Sequence, residues 1–308
     1  MMGVFLRRVV QMPLILLAVY TATFVMVIAV PGNPFQSAGG RSMHPAVEAA
    51  LRQRYGMDDN LRFYFRYLGR VLTGDLGQSL QYESWSCNEI IADALPVSMA
   101  VGGAAILIAL AGGLLLGTLG AVFRHSILDY ASLAVAVVGV SVPTFVIGAT
   151  LLVLFSVTWP VLSAGTWQSP QDLLRPALTL SLLPMAYITR LTRLGMIDVL
   201  GSDFVRTARA KGLPEWRVIL HHALPNAFLP VLSYLGPAAA AAMTGSFVVE
   251  RVFNIPGLGV HFVNSVLNRD QMLILATVLV YSALIVTFNL MVDIAYHLLD
   301  PRLEGRTT

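Results

Sequence analysis

The stretch that decides the fold is DFVRTARAKGLPEWRVILHHALPNA, at residues 203–227, which we name the docking loop. It is charged and amphipathic, and it lies between long apolar segments. The turn at Gly212, Leu213 and Pro214 predicts two short helices, with Asp203 as N-cap of the first and Pro214 in the first turn of the second. Its cations are Arg206, Arg209, Lys211 and Arg217. Internal order and positive charge together indicate a surface that docks on a partner in the cytoplasm.

The composition is that of a membrane protein. Of the 308 residues, 56% are hydrophobic and 12% are charged, and a soluble domain carries about twice that charged fraction. The net charge of +3 is too small to indicate a nucleic-acid partner. The single cysteine, Cys87, cannot form an internal disulfide. Because no cysteines and histidines share metal-ligand spacing, we predict no metal site.

Six segments are long and apolar enough to cross a bilayer, which takes about 20 residues. They lie near 9–30, 99–123, 133–159, 177–194, 229–249 and 273–298. Pro143 predicts a tilt or kink in the third. The first segment is too long for a signal peptide and lacks a small-residue cleavage site, so it is predicted to be a retained helix.

The arginines predict the orientation, because cytoplasmic loops carry an excess of basic residues. With the N-terminus inside, most cations fall in or near the cytoplasm: Arg7, Arg8, Arg124, Arg190, Arg193, Arg206, Arg209, Lys211, Arg217, Arg302 and Arg306. The short outer loops hold Arg175, Arg251 and Arg269. Six spans then return the C-terminus to the cytoplasm.

The first outer loop, residues 31–96, is too long for a simple connection. Helical spacing predicts helices at 45–55 and 61–72. The second carries Leu61, Phe65, Leu68 and Leu72 on one face. Two interpretations stay open: a small cap packed over the mouth of the bundle, or part of a surface that receives a substrate-delivery protein. Candidate contacts for such a protein are Arg62, Arg66 and Asp75.

The docking loop resembles the cytoplasmic signature of the membrane subunits of ATP-binding-cassette importers. That signature runs Glu-Ala-Ala, three residues, Gly, nine residues, Ile, one residue, Leu-Pro. The chain keeps Ala208, Gly212, Leu224 and Pro225 in register. It departs at Arg206, Thr207 and His222, departures that are familiar in the peptide-importer branch of the family.

Further stretches carry the same resemblance in chain order. They are RYGMD at 54–58, GDLGQS at 74–79, GVSVPTF at 139–145, VERVFNIPGLG at 249–259 and VDIAYHLLDPR at 292–302. Over essentially the whole chain, the sequence is similar to the first of the two permease subunits in dipeptide, oligopeptide and nickel importers.

This resemblance implies an all-α membrane protein with six transmembrane helices of the type I importer kind. It implies one permease domain over 1–308, with a small helical cap at 31–96 and a cytoplasmic coupling loop at 200–227. The implied function is the translocation subunit of an ATP-driven importer for short peptides in the bacterial cytoplasmic membrane. Nickel chelates and haem are alternative cargoes. The implied partners are a second permease, ATPase subunits and an external substrate-binding protein.

The chain has no phosphate loop of the form G-x-x-x-x-G-K-[ST], so ATP and Mg²⁺ are expected on the partner ATPase and no residue here is expected to be catalytic. The energy for transport must then reach this chain through its contact with the ATPase. The residues expected to couple to the ATPase are Arg206, Ala208, Arg209, Lys211, Gly212, Leu213, Pro214, Leu224 and Pro225. The competing interpretation of the loop is an interfacial helix that lies on anionic lipid.

Polar and special residues within the spans are candidates for the path or its gate. We name Ser141, Pro143, Phe145 and Glu250 for that role. Asp293 lies toward the same membrane face as Arg190 and Arg193, and pairing between them would fix helix packing or form a gate. The glycines at 102, 103, 112, 113 and 117 indicate close helix contacts.

Two alternatives to an importer subunit would each show a different sequence pattern. An ion-coupled secondary transporter would show internal repeats or interrupted helices with buried carboxylates. An intramembrane enzyme would need a base for Ser246, and His261 falls outside the spans in this topology. Neither pattern is clear in the sequence.

Overall fold

A computed structural model describes residues 2–35, 44–82, 84–159 and 167–299. This part of the chain is helical and has no strand, only an isolated bridge between Gln78 and Ser86. The α-helices are α1 Met2–Ala29, α2 Pro45–Tyr55, α3 Asn60–Leu72, α4 Cys87–Val122, α5 Ile127–Ser141, α6 Thr144–Leu152, α7 Leu174–Leu200, α8 Asp203–Ala210, α9 Glu215–Arg217, α10 Leu224–Ala227, α11 Leu229–Met243, α12 Phe247–Val252, α13 Leu258–Leu267 and α14 Gln271–Leu299. Val153–Thr158 and Val218–Ala223 are π-helical, and Pro170–Leu173 is a 3₁₀ turn.

Residue contacts divide the chain into two compact units. Unit 1 comprises Met99–Ile255 and residues 287–299, and unit 2 comprises Met2–Ser98 and Pro256–Val286. The single permease domain over 1–308 stays a prediction.

Three helical segments are long and apolar enough to span a membrane: Val10–Ala29, Cys87–Val122 and Gln271–Ala295. Two bent pairs, Ile127–Ser141 with Thr144–Thr158 and Glu215–Ala227 with Leu229–Met243, raise the number to five if each is one span. These five correspond to five of the six predicted segments.

The third predicted segment is broken, with an angle of 105° between its halves. The break lies at Val142 and Pro143. A proline disfavours helical geometry in the residue before it, and Val142 is extended at φ −89° and ψ 125°. The proline therefore divides the segment more sharply than the predicted kink.

The remaining predicted segment, 177–194, lies within α7, which is too polar to qualify as a span on length and hydropathy alone. Its polarity fits its place in unit 1, where it contacts α5, α6, α10, α11 and α12. Thr179, Ser181 and Thr189 are buried, and each hydroxyl donates to a carbonyl of α7 itself at 2.8–2.9 Å. These three hydroxyl groups are thus satisfied within the helix.

Glycines bring neighbouring helices close to α7. A Cβ at Gly113 or Gly117 of α4 would overlap Ile188 or Thr192, and one at Gly139 of α5 would overlap the Leu182 carbonyl. The prediction that the α4 glycines form a packing surface is therefore confirmed for these two positions.

The core of unit 2 is built on aromatic rings. Tyr20 and Phe24 of α1 pack against Phe63 and Tyr67 of α3, with the rings of Tyr20 and Tyr67 stacked at 5.9 Å. The helix at 45–55 is confirmed, and that at 61–72 begins one residue earlier. The buried face of α3 is the aromatic one.

The predicted apolar stripe of α3 points outward instead. Leu61, Phe65 and Leu72 are exposed, and Leu68 is half-buried. Phe63 and Tyr67 occupy the interior instead, where their rings pack against Tyr20 and Phe24 of α1. An apolar stripe beside Arg62 and Arg66 is thus left available on this helix.

The turn after α3 is held by Asp75. Its carboxylate accepts from the Gly77 N–H at 2.9 Å and from Arg70 at 2.8 Å. The Gly77 N–H, followed by Arg70, keeps the pKa of Asp75 below its ordinary value. This stabilisation is complete above the ordinary carboxyl pKa and is lost as the pH falls through the lowered one.

Asp270 binds the turn at residues 79–81 and holds it against the start of α14. Its fully buried carboxylate accepts from the Ser79 hydroxyl, the Leu80 N–H at 3.1 Å and the Gln81 N–H at 3.3 Å. Its other oxygen accepts from the Leu273 N–H at 3.1 Å. One carboxylate therefore joins segments almost 200 positions apart in the sequence.

We expect Asp270→Asn to destabilise unit 2 by about 2–4 kcal/mol, because an amide cannot accept from every donor gathered there. Thermal unfolding of the purified protein in detergent, together with proteolysis of the 79–82 turn, measures this loss. The exposed Asp58→Asn is the matched control and should change stability by under about 0.5 kcal/mol. Equal melting temperatures for the two variants would contradict the role of Asp270.

Candidate functional site

The docking loop folds as predicted into two short helical segments. Helix α8 ends at Ala210, and a turn through Gly212 leads into α9 and its π-helical continuation. Gly212 has φ +77°, the left-handed conformation that glycine adopts without strain, and its N–H donates to the Arg209 carbonyl at 2.9 Å. Glycine therefore suits this turn, as the sequence indicates.

The helix boundaries differ from the predictions by one residue. Ser202 is the N-cap of α8, and Asp203 is the first residue of the helix. Pro214 is the N-cap of α9 and not part of its first turn. An extended ψ of 144° at Pro214 sets the direction of the second segment.

The docking loop has a small core of its own. Val205 and Ala208 of α8 pack against Val218, with Leu200 and Leu213 at the edge. Ala208 is only 4% exposed, so it packs inside the loop and is not on the surface. Its small size lets the two segments approach each other. This core makes the loop a rigid element.

An ion pair lies on the outer side of the turn between α8 and α9. Arg209 binds Glu215 through two hydrogen bonds, at 2.6 and 3.1 Å, with both side chains about half exposed. Two parallel bonds from a guanidinium fix the relative direction of the groups better than a single bond. The pair therefore restrains α9 relative to α8.

The outer surface of the loop combines large apolar side chains with cations. Phe204, Trp216 and Leu220 are each about half exposed. The guanidinium of Arg217 lies 5.2 Å from the centre of the Trp216 ring. Exposed apolar groups rimmed by charge are typical of a protein–protein contact. We did not predict these three apolar residues, although large apolar side chains at polar positions of an amphipathic loop were a usable signal.

The coupling residues named from the sequence fall into three environments. Arg206, Arg209, Lys211, Gly212, Pro214 and Pro225 are exposed, Leu213 and Leu224 are half-buried, and Ala208 is buried. Leu224 packs on a cluster formed by Ala121, Met196, Ala223 and Ala227, which anchors the loop to the ends of α4 and α7. A shift of the loop would thus be transmitted to these two helices.

A buried ion pair lies close to this anchor. Arg193 of α7 binds Asp129 of α5 through Nε at 2.6 Å and Nη2 at 2.9 Å. The Asp129 side chain is 2% exposed and also accepts from the His125 N–H at 3.0 Å. The sequence suggested Asp293 as a partner of Arg190 or Arg193, whereas in the structure Arg193 pairs with Asp129. The Arg190 side chain is exposed.

The candidates for the path or gate lie in unit 1. Ser141, Pro143 and Phe145 are exposed around the break between α5 and α6. Glu250 is buried on α12, which packs against α6. Their role stays a prediction.

The candidates for contact with a delivery protein lie in unit 2. Arg62 and Arg66 are exposed on α3. The Asp75 side chain is about half exposed, although its carboxylate also stabilises the turn after α3.

In the part of the chain that the structure describes, no group of histidine, cysteine and carboxylate residues could hold a metal ion.

The long apolar helices, with the charged docking loop between two of them, are those of a multi-pass membrane protein. The chain belongs to the family of binding-protein-dependent transport system inner membrane components, whose model matches residues 113–305. A second model, for the N-terminal part of such membrane components, matches residues 1–101. The predicted resemblance is therefore confirmed, and the chain is a permease subunit.

Similar proteins match nearly the full length of the chain. The dipeptide transport system permease protein DppB of Bacillus subtilis is 41% identical over 300 residues, 97% of each chain. The oligopeptide transport system permease protein OppB of Escherichia coli K12 is 39% identical over 307 residues, 99% of this chain and 100% of that protein.

A crystal structure of an amino acid ABC transporter with histidines has a similar fold. Its TM-score is 0.51 at 16% identity, over 68% of this chain and 93% of that one. The likeness supports the predicted fold of the type I importer kind.

Proposed function

We propose that this chain is the translocation subunit of an ATP-driven importer for short peptides. The observation that carries the proposal is the docking loop, a rigid pair of helical segments with exposed Phe204, Trp216 and Leu220. The peptide cargo is supported by the names of the two relatives, a dipeptide and an oligopeptide permease, which match nearly the whole chain.

The proposed complex contains a second, related permease, cytoplasmic ATPase subunits and an external substrate-binding protein. ATP and Mg²⁺ would be held by the ATPase, because this sequence has no phosphate loop of its own. The docking loop would seat on the ATPase through its apolar side chains, with the cations at the rim. The outward stripe Leu61, Phe65 and Leu72, beside Arg62 and Arg66, is the proposed contact for the binding protein.

Reconstitution of the complex in proteoliposomes tests this function. We expect accumulation of labelled dipeptides only when ATP and loaded binding protein are both present. Nickel chelates and haem serve as alternative cargoes in the same assay. Accumulation of one of these instead of peptide would refute the substrate class. Peptide uptake driven by an ion gradient without ATP would refute the ATP-driven mechanism.

The proposed topology places both termini and the docking loop in the cytoplasm and the 31–96 cap outside. Cysteine at Asp58 should react with a membrane-impermeant thiol reagent in whole cells, whereas cysteine at Glu215 should react only after lysis. The two side chains have similar exposure, 47% and 53%, so a difference reports the side of the membrane. The native Cys87 is buried and supplies little background. Labelling of position 215 in intact cells would overturn the orientation.

A further inference from the structure

Unit 2 contains an apolar groove at one end of its spanning helices. The cavity has a volume of about 330 Å³. Its apolar lining includes Met26 and Val27 at the end of α1, Val30 just after it, Phe262 and Val266 from α13, and Ile274 from α14.

The groove lies beside the ends of two helices that are long and apolar enough to span a membrane. Its α1 residues belong to the end of the span Val10–Ala29, and the span Gln271–Ala295 begins beside it. Met26, Val30 and Val266 are exposed in the chain. In a bilayer spanned by these helices, we therefore expect the groove to lie beside the first carbons of the acyl chains, just below the headgroups.

A single cation, Arg269, stands at the rim of the groove. Its backbone has φ +57°, which is uncommon for a residue with a side chain. The residue follows the C-terminus of α13, where its N–H donates to the Val266 carbonyl at 3.3 Å. Glycine is the usual residue at such a position. The chain thus keeps an arginine where a glycine would fit with less strain.

The opposite wall makes room for this guanidinium. Gly32 carries no side chain, and a Cβ there would overlap the guanidinium of Arg269. Within the described residues, Arg269 forms no ion pair with a carboxylate. The guanidinium therefore lies beside Gly32, and the described part of the protein does not neutralise its charge.

We infer that this groove binds an anionic diacyl phospholipid, with an acyl chain along its apolar walls and the phosphate on Arg269. A guanidinium matches a phosphate through two parallel hydrogen bonds. A peptide fits poorly, because the lining offers no carboxylate to an amino terminus and few groups to backbone amides. The inference rests on membership of a membrane permease family and not on the proposed cargo.

Lipid binding to the purified permease complex, measured by native mass spectrometry, tests the inference. Phosphatidylglycerol and phosphatidylcholine with identical acyl chains are titrated in parallel. We expect retention of phosphatidylglycerol to exceed that of phosphatidylcholine by about fivefold, the effect of one arginine at the surface.

Arg269→Gly removes the charge and suits the left-handed backbone, so it should abolish the preference without lowering the melting temperature. Arg251→Gln, an exposed arginine that does not line the groove, is the matched control and should keep the preference. Val266→Trp should reduce retention of both lipids by filling the groove. An undiminished preference in Arg269→Gly would overturn the proposal. So would efficient cross-linking of a cysteine at Val266 to the partner permease, because a protein helix would then occupy the groove.

Discussion

Replacing Gly212 with aspartate is expected to abolish the stimulation of ATP hydrolysis by loaded binding protein, and peptide uptake with it. The chain itself has room for the new side chain, because nothing lies within 4 Å of a Cβ at this position. Aspartate also tolerates the positive φ better than most residues. The expected damage is therefore to the contact with the ATPase, where an unpaired carboxylate costs several kcal/mol when buried. Each loss of about 1.4 kcal/mol lowers affinity tenfold.

Gly212→Asn is the matched control for this experiment. Asparagine has nearly the same volume and the same tolerance of positive φ, but it carries no charge. It should retain most of the stimulation in reconstituted complex. Ala208→Glu is less informative, because Ala208 is buried in the core of the loop and a carboxylate there would unfold the loop itself. Normal stimulation in Gly212→Asp would show that the docking loop is not the coupling element.

Arg193→Leu is expected to lower the free energy of unfolding by about 3–5 kcal/mol, because it leaves the Asp129 carboxylate buried without its partner. Thermal unfolding in detergent and the amount of protein in the membrane both measure this loss. Arg190→Leu, three residues earlier on α7 and exposed, should change stability by under about 0.5 kcal/mol. The double variant Asp129→Leu with Arg193→Leu should recover much of the loss, since no charge is then stranded. A double variant no more stable than Arg193→Leu would argue against a simple ion pair.

Local chemistry allowed much of the fold to be predicted. The cap helix Pro45–Tyr55 and the turn at Gly212 follow from proline and glycine, whose backbone preferences act within a few residues. The sharp break at Pro143 could have been predicted in the same way, because the effect of proline on the preceding residue is also local. The short apolar helix Leu258–Leu267 was not predicted, since its length falls below that of a span.

Long-range pairing could not be predicted in the same way. Nothing in the local sequence joins Asp270 to Ser79 or Arg193 to Asp129, because these contacts exist only once the helices are packed. The face of α3 was ambiguous for a related reason. Leucine and aromatic residues both form stripes on it, and only the partner surface decides which stripe is buried. Ala208 belongs to the loop core because α8 folds back on the residues that follow it.

Three buried hydroxyl groups of α7 are satisfied in a way that has a mechanical consequence. Because Thr179, Ser181 and Thr189 donate to their own helix, these bonds need not break if α7 slides past its neighbours. Gly113 and Gly139 let α4 and α5 approach α7 closely, so side-chain packing and not hydrogen bonding is what sliding of α7 would have to disturb along most of its length. We expect the Arg193–Asp129 pair, at the end of α7 nearest the docking loop, to oppose such sliding most strongly, because it joins α7 to α5 through two hydrogen bonds.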